Sequence, residues 1–234
     1  MTTFALVHGA WHGRWCWERL APELEDLGHH VISMDLPSDD PAATFDAYAD
    51  VVAGQMQADG QDEFVVVGHS LAGLTIPLVA ARQEVARLVY LCALVPVPGG
   101  SFMDQLTTEQ DMIDLGYLAG LGEPDAEGRR GWVDEGLARH FMYADCDDQA
   151  AEAAIGRLRP QAQSPYAVPC RLDAFPDTPC TYVVCGEDRL VNPDWSRRVA
   201  RERLNADLVE LPGSHSPFLS RPSELARVLH EAQL

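Results

Sequence analysis

Residues 64–74 read Phe64-Val-Val-Val-Gly-His-Ser-Leu-Ala-Gly-Leu74 and decide the fold. The β-branched run that ends at Gly68 predicts a buried strand, and residues 71–81 predict a helix. Ser70 therefore occupies a sharp turn between the two, which strains its backbone and requires small neighbours such as Gly68 and Ala72. Such a turn lifts the hydroxyl clear of the sheet, where amide groups of the following helix can stabilise an oxyanion.

This turn departs slightly from the usual Gly-x-Ser-x-Gly pattern of a nucleophile elbow. Ala72 takes the place of the last glycine, and Gly73 follows it. Alanine is small enough for the turn, so the departure is mild. The same five residues also fit an ordinary strand-to-helix turn of another α/β protein, so the rest of the chain must decide.

The composition is that of one folded domain, or of a core domain with an insertion. The chain has 234 residues, of which 47% are hydrophobic and 23% charged. A net charge of −19 argues against nucleic acid or an anionic membrane surface as a partner. No stretch approaches the roughly 20 apolar residues that a membrane span needs.

The N-terminus and the cysteines predict a cytoplasmic protein. Residues 1–8 contain no basic leader, and their apolar run is too short for a secretory signal. The six cysteines form no C-x-x-C pair, so we expect small buried hydrophobes rather than disulfides or a zinc site.

Strands alternate with helices over most of the chain, which predicts an α/β fold with about six mostly parallel strands and helices on both faces. The expected strands are 4–7, 31–34, 64–67, 85–92, 181–185 and 207–211. The expected helices are 15–27, 45–58 after the capping Thr44, 71–81, 147–158, 194–204 and 222–232. The rhythm breaks between residues 96 and 179, which we interpret as a cap inserted into a core formed by residues 1–95 and 180–234.

The carboxyl ends of parallel strands collect functional groups at one edge of a sheet. Ser70 follows the third predicted strand, Asp188 the fifth and His215 the sixth. This Ser, Asp, His order is that of the α/β-hydrolase triad. Glu187 is the nearest rival of Asp188, which could also be a solvated loop residue. We expect His8 and His12, which flank the first loop, to bond backbone groups instead.

Several motifs together resemble the α/β-hydrolase superfamily, specifically its small branch of plant methylesterases and hydroxynitrile lyases. The similar segments are Phe4-Ala-Leu-Val-His-Gly-Ala-Trp-His-Gly-Arg-Trp-Cys-Trp17, Leu27-Gly-His-His-Val-Ile-Ser-Met-Asp-Leu36, Val67-Gly-His-Ser-Leu71, Val184-Cys-Gly-Glu-Asp188, Tyr143-Ala-Asp-Cys-Asp147 and Arg157-Leu-Arg-Pro160. The resemblance covers nearly the whole chain and implies an α/β-hydrolase fold.

The resemblance also implies roles that agree with the chemistry of these side chains. Ser70 would be the nucleophile, His215 its general base, and Asp188 the group that orients the imidazole. The backbone amides of Ala10 and Leu71 would form the oxyanion hole. Such a reaction proceeds through an acyl-enzyme and needs no metal or organic cofactor.

Two departures from the lyases of this branch favour an esterase. Those lyases are similar in their triad but add a lysine after the histidine, where this chain has Ser216, and lysine occurs nowhere in the sequence. They also carry threonine where this chain has Gly9. Related epoxide hydrolases and dehalogenases use aspartate where Ser70 stands.

Aromatic residues predict the substrate class: small carboxylic esters with an apolar or aromatic acyl part. Trp11, beside the oxyanion loop, and the cap residues Trp132 and Phe141 are the candidate substrate contacts, although aromatic residues at such spacings are often core. A hormone-like small-molecule binding protein with weak esterase activity, and a biosynthetic thioesterase, remain alternatives. A homodimer formed through the cap is compatible with the sequence, which contains nothing that tests it.

Overall fold

The computed structural model describes residues 1–232, and these contain eight strands in two sheets. The strands are β1 (Thr3–Val7), β2 (His30–Ser33), β3 (Phe64–His69), β4 (Arg87–Leu91), β5 (Arg129–Arg130), β6 (Gln161–Ala162), β7 (Cys180–Cys185) and β8 (Asp207–Leu211). The helices are α1 (Leu20–Asp26), α2 (Phe45–Asp59), α3 (Ile76–Ala80), α4 (Phe102–Thr108), α5 (Glu135–Met142), α6 (Asp148–Ile155), α7 (Pro193–Glu202), α8 (Pro217–Ser220) and α9 (Pro222–Ala232). Short 3-10 helices span Arg14–Trp17, Ser70–Leu74, Leu115–Gly120 and Ser164–Ala167.

The main sheet has six strands in the order β2-β1-β3-β4-β7-β8, and every neighbouring pair is parallel. Connections between parallel strands are right-handed, so the direction of each crossover sets the face on which its helix lies. The chain moves outward from β1 to β2 and then back across to β3. This reversal places α1 on one face and α2, α3 and α7 on the other. The predicted α/β-hydrolase architecture with six parallel strands is confirmed.

Strand register brings the first loop beside the elbow. Val7, the last residue of β1, pairs with Gly68, and His69, the last residue of β3, pairs with Leu91. The loop that follows β1 therefore begins next to Ser70, because β1 and β3 end at nearly the same level of the sheet. Both strands are fully buried, as continuous apolar runs in a parallel sheet are expected to be.

Two predicted helices are wrong in their extent, and proline explains where they break. In place of the expected helix 15–27, the chain forms a 3-10 turn followed by α1. Pro22 lies in the first turn of α1, where backbone N–H groups have no partner within the helix, so the missing N–H of proline costs no hydrogen bond there. The expected helix 71–81 is also interrupted: α3 starts at Ile76 with Pro77 next, and Pro77 has no N–H to continue the preceding turn. The prediction for α2 is confirmed, and the hydroxyl of its N-cap Thr44 accepts from the Ala47 N–H at 3.2 Å.

The segment between β4 and β7 holds α4, α5, α6 and the small antiparallel pair β5–β6. We propose that it forms the cap expected from the break in the sequence rhythm. All six cysteines are free, and four of them are buried. Among residues 1–232, no helix is both long and apolar enough to cross a membrane.

Candidate active site

Ser70 lies at the apex of the elbow with a positive φ of 53°, a conformation that a residue with a side chain adopts only under local strain. Close packing holds it there. A Cβ at Gly68 would lie 2.7 Å from Cγ2 of Ile76, and a Cβ at Gly73 would collide with the carbonyl oxygen of Leu94. The N–H of Leu94 in turn donates to the carbonyl of Ser70 at 3.0 Å. The segment that follows β4 thus holds the turn from the side.

Ser70, His215 and Asp188 form one chain of hydrogen bonds. The Ser70 hydroxyl lies 3.0 Å from Nε2 of His215, and Nδ1 of His215 donates to Oδ2 of Asp188 at 2.8 Å. The other carboxylate oxygen of Asp188 accepts from the N–H groups of Leu190 and Val191, at 2.8 and 3.0 Å. All three side chains are buried, so the pairing occurs away from bulk water. Glu187, the rival carboxylate, is exposed.

His69, the variable residue of the elbow, supports the loop of His215. Its Nε2 donates to the backbone carbonyl of His215 at 2.9 Å, and the two rings lie 4.7 Å apart between centroids. Burial holds the pKa of His69 well below its usual range, so this ring is neutral. Sequence reasoning gave His69 no role, because nothing in its local pattern indicates a contact 146 residues away.

His8, a buried histidine in the loop that follows β1, orients a candidate oxyanion-hole amide. Nε2 of His8 accepts from the Leu36 N–H at 3.0 Å, so its proton resides on Nδ1, which donates to the Gly9 carbonyl at 2.9 Å. The Gly9 carbonyl and the Ala10 N–H belong to one planar trans peptide and point in opposite directions. Holding the carbonyl therefore aims the Ala10 N–H. Burial lowers the pKa of His8 to about 4.

Contacts with the inserted segment fix the rest of this loop. His12 donates from Nδ1 to the Ala10 carbonyl at 3.0 Å and accepts from the Tyr143 hydroxyl at 2.8 Å. The Arg159 N–H donates to the Trp11 carbonyl at 2.7 Å, and its guanidinium donates to the His12 carbonyl at 3.0 Å. Trp11 has a positive φ of 62°, which these bonds maintain. The expectation that His8 and His12 bond backbone groups is confirmed.

A cavity of about 350 Å³, open mouth included, lies directly above Ser70. It contains no Asp, Glu, Arg or His side chain, and its walls are apolar or aromatic. The lining residues are Ala10, Trp11, Ser70, Leu71, Leu94, Phe102, Ile113, Tyr117, Tyr166, Leu190 and Val191. Ala10 and Leu71, the two candidate oxyanion-hole residues, thus meet at the cavity with Ser70.

The structure places the three candidate substrate contacts differently. Trp11 lines the cavity, but Trp132 and Phe141 do not. Trp132 packs behind Trp11 with ring centroids 5.4 Å apart, and Phe141 is buried on α5. The aromatic residues that sequence reasoning missed are Phe102, Tyr117 and Tyr166. No local signal separates these from the other aromatic residues of the inserted segment.

The site is built from nucleophilic and acid–base groups. Within the part of the chain that the structure describes, no group of three or more His, Cys, Asp or Glu side chains is placed to hold a metal ion. What the arrangement offers is a strained serine, an imidazole within hydrogen-bond distance of it and supported by a buried carboxylate, and two backbone N–H groups beside an apolar space. This combination suits acyl transfer.

Comparison with known proteins agrees with this geometry. The model of the Alpha/beta hydrolase family matches residues 4–228. This chain belongs to the alpha/beta hydrolase family. The family membership expected from the sequence motifs is thereby confirmed.

Curated relatives of this hydrolase place it near the plant branch that the motifs indicated. Salicylic acid-binding protein 2 of Nicotiana tabacum is 27% identical, with 97% of this chain and 95% of that protein covered. Methylesterase 9 of Arabidopsis thaliana is 26% identical, with 96% and 95% covered. Among solved structures, a pyrethroid hydrolase from Sphingobium faniae superposes with a TM-score of 0.80 at 23% identity, covering 99% of this chain and 97% of that one. This last likeness supports the fold.

Proposed function

We propose that this chain is a carboxylic ester hydrolase that uses Ser70 as its nucleophile. The observation that carries the proposal is the buried hydrogen-bond chain from Ser70 through His215 to Asp188, at 3.0 and 2.8 Å, beneath an apolar cavity. The name of the Arabidopsis relative, a methylesterase, supports the same reaction class. The strained φ of Ser70 supports it further, because that conformation lifts the residue to the edge of the sheet, where it lines the cavity.

In the proposed reaction, His215 takes the proton of Ser70 as the oxygen attacks the ester carbonyl. The Ala10 and Leu71 N–H groups stabilise the resulting oxyanion. Collapse of this tetrahedral intermediate breaks the ester C–O bond, and His215 gives its proton to the departing alcohol. Water, activated by the same imidazole, then hydrolyses the acyl-enzyme and regenerates Ser70.

The cavity favours small neutral esters with an apolar or aromatic acyl part. No ionised side chain lines it, so a charged substrate would lose its hydration without compensation. The rings of Trp11, Tyr117 and Tyr166 provide flat apolar walls for an aromatic group. Trp132 and Phe141 are not retained as substrate contacts in this proposal, because their rings lie outside the cavity.

A hydroxynitrile lyase is the disfavoured alternative. The residue after His215 is Ser216, whose buried hydroxyl has no hydrogen-bond partner among residues 1–232, and the sequence contains no lysine. The site therefore has no ammonium group to hold a leaving cyanide. The name of the tobacco relative favours a second candidate, a small-molecule binding protein with slow turnover. Comparing turnover rate with binding affinity for the same ester separates this candidate from an efficient esterase.

We also propose a cytoplasmic location, since all six thiols are free, as in a reducing compartment. The partner of the site is the ester itself; nucleic acid and anionic membranes remain unfavoured by the net charge of −19. A homodimer stays a prediction that chromatography with light scattering can test.

The deciding experiment compares wild type with Ser70→Ala on short and aromatic p-nitrophenyl esters. We expect wild type to release nitrophenolate and the variant to lose nearly all activity. A fluorophosphonate should transfer its phosphonyl group to the Ser70 oxygen with release of fluoride, so wild type should gain the mass of the reagent less HF and the variant should gain none. Equal activity in both proteins would show that Ser70 is not the nucleophile. Absence of turnover in both would favour the binding-protein candidate.

A further inference from the structure

The cavity above Ser70 shares one wall with a second pocket. This pocket has a volume of about 360 Å³, its opening to solvent included, and its lining includes Phe45, Leu74, Leu78, Pro96, Val97 and Phe102. Phe102, the first residue of α4, faces both spaces, since it lines the main cavity as well. Among the described residues, Phe102 is the one side chain that lines both spaces.

The polar groups around the second pocket are already engaged. The carboxylate of Asp46 accepts from the guanidinium of Arg82 at 2.6 Å, and the side-chain N–H of Gln105 donates to the Val95 carbonyl at 2.9 Å. What the pocket offers a ligand is therefore apolar surface. A hydrocarbon group gains free energy there, whereas a charged or strongly polar group does not.

The position of this pocket relates it to the acyl part of an ester. In the proposed reaction His215 protonates the departing alcohol, so the alcohol lies on the side of the loops that follow β7 and β8. Residues 190 and 191 of the main cavity belong to that side. The second pocket is lined by the start of α2, by the helices that follow Ser70, by α4 with the segment before it, and by residues 168–170. None of its lining residues comes from the loops that follow β7 and β8. It therefore lies on the acyl side.

Phe102 is packed as a partition. Its side chain is buried, and its ring meets Tyr166 edge-on, with centroids 5.1 Å apart. The α4 N-terminus that carries it is fixed by a capping box between Ser101 and Asp104. Because Phe102 lines both spaces and belongs neither to the candidate triad nor to the loop after β1, we expect that removing its ring joins the two spaces and leaves those catalytic groups in place.

We infer that Phe102 limits the length of the acyl chain that the main cavity accepts, because its ring separates that cavity from a second apolar pocket on the acyl side, which becomes a subsite for the distal part of an extended hydrocarbon chain once the ring is removed. This inference rests on the proposed function, because it assigns a space to one product of the same reaction. It identifies Phe102 as the residue that sets acyl-chain length.

The test measures kcat/KM of wild type and Phe102→Ala on p-nitrophenyl acetate, butyrate and octanoate. We expect the octanoate-to-acetate ratio to rise at least about tenfold in Phe102→Ala, since each newly buried methylene contributes roughly fourfold. Adding Val97→Phe to Phe102→Ala refills the pocket from its outer wall and should reverse most of that rise. Phe102→Leu, a milder truncation, should show a smaller rise and serves if the alanine variant does not fold.

Met103→Ala is the matched control, because Met103 is the next residue of α4, is 49% exposed and lines neither space. Its chain-length profile should equal that of wild type. An unchanged ratio in both folded Phe102 variants, with acetate still hydrolysed through Ser70, would overturn the second subsite and leave the proposed function standing. If wild type hydrolysed none of the esters through Ser70, both the second subsite and the proposed function would be overturned.

Discussion

His69 donates a hydrogen bond from Nε2 to the backbone carbonyl oxygen of His215, 2.9 Å away. The two residues flank the candidate nucleophile from different strands, since His69 immediately precedes Ser70 and His215 follows β8. The bond ties the loop of the candidate base to the elbow itself. The distance from Ser70 to His215 therefore depends on a residue that the elbow pattern leaves unspecified.

Replacing His69 by leucine should lower kcat by about tenfold with little change in KM, because the imidazole of His215 loses one support for its near-attack position. His69→Gln is the matched control, since its amide nitrogen can take the place of Nε2 and restore the bond. Ester hydrolysis by the three proteins, with circular dichroism as a check on folding, measures this. Equal loss in both variants would contradict a role for this hydrogen bond.

Asp188→Asn should reduce kcat on the order of 10⁴-fold. The asparagine oxygen stays with the N–H groups of Leu190 and Val191, which leaves the side-chain NH₂ facing His215. Nδ1 must then accept, the ring proton moves to Nε2, and Nε2 no longer takes the proton of Ser70. Glu187→Gln, at the exposed neighbouring carboxylate, should retain wild-type turnover. If Glu187→Gln instead lost more turnover than Asp188→Asn, Glu187 and not Asp188 would be the acid of the triad.

His8→Leu should lower kcat between about tenfold and 100-fold, because the Gly9–Ala10 peptide loses the bond that aims its N–H. His8→Asn keeps a donor near the Nδ1 position and should retain more activity than the leucine variant. Steady-state kinetics on one activated ester compares the three proteins. Identical kinetics in the two variants would exclude peptide orientation as the reason for the buried histidine.

The elbow and the three polar strand ends were predictable because their signals are local. A β-branched run closed by Gly68 specifies a strand and turn, and parallel strands carry their ends to one edge of the sheet whatever the sequence distance between them. The closeness of Ser70, Asp188 and His215 follows from this topology. The breaks in the two predicted helices were missed, although Pro22 and Pro77 are local signals for them.

The cavity walls were not predictable in the same way. Tyr117 lies in a short 3-10 helix and Tyr166 in another, and neither segment has a period that indicates an inward face. Trp132 and Phe141 are equally aromatic but pack behind the wall. Which of these rings meets the substrate space depends on how the inserted segment folds back over the sheet, and no local pattern encodes that arrangement.

Stability should fall as pH decreases below about 6.5, the ordinary histidine pKa. Burial lowers the pKa of His8 to about 4 and that of His12 to about 3. Below pH 6.5 these two histidines are therefore protonated in the unfolded chain but not in the folded one. Each such histidine removes about 1.4 kcal/mol of unfolding free energy per pH unit until its folded pKa is reached. Urea unfolding at pH 7.5, 6.0 and 5.0 measures the slope. His12→Asn keeps a donor for the Ala10 carbonyl but has no imidazole to protonate. Its unfolding free energy should therefore depend less steeply on pH, by the contribution of one histidine. A slope equal to that of wild type would contradict this.

Gly73→Ala should destabilise the protein by about 1–3 kcal/mol, the usual penalty of overpacking. A Cβ at this position meets the carbonyl oxygen of Leu94, whose N–H holds the Ser70 carbonyl at 3.0 Å, so relief of the clash must move the elbow. We therefore expect activity to fall together with the urea midpoint. Ala72→Gly restores the usual elbow pattern and should retain activity, losing at most about 1 kcal/mol through backbone freedom. If Gly73→Ala instead matched wild type in both measurements, the contact between Gly73 and Leu94, in the segment after β4, would not be what fixes Ser70.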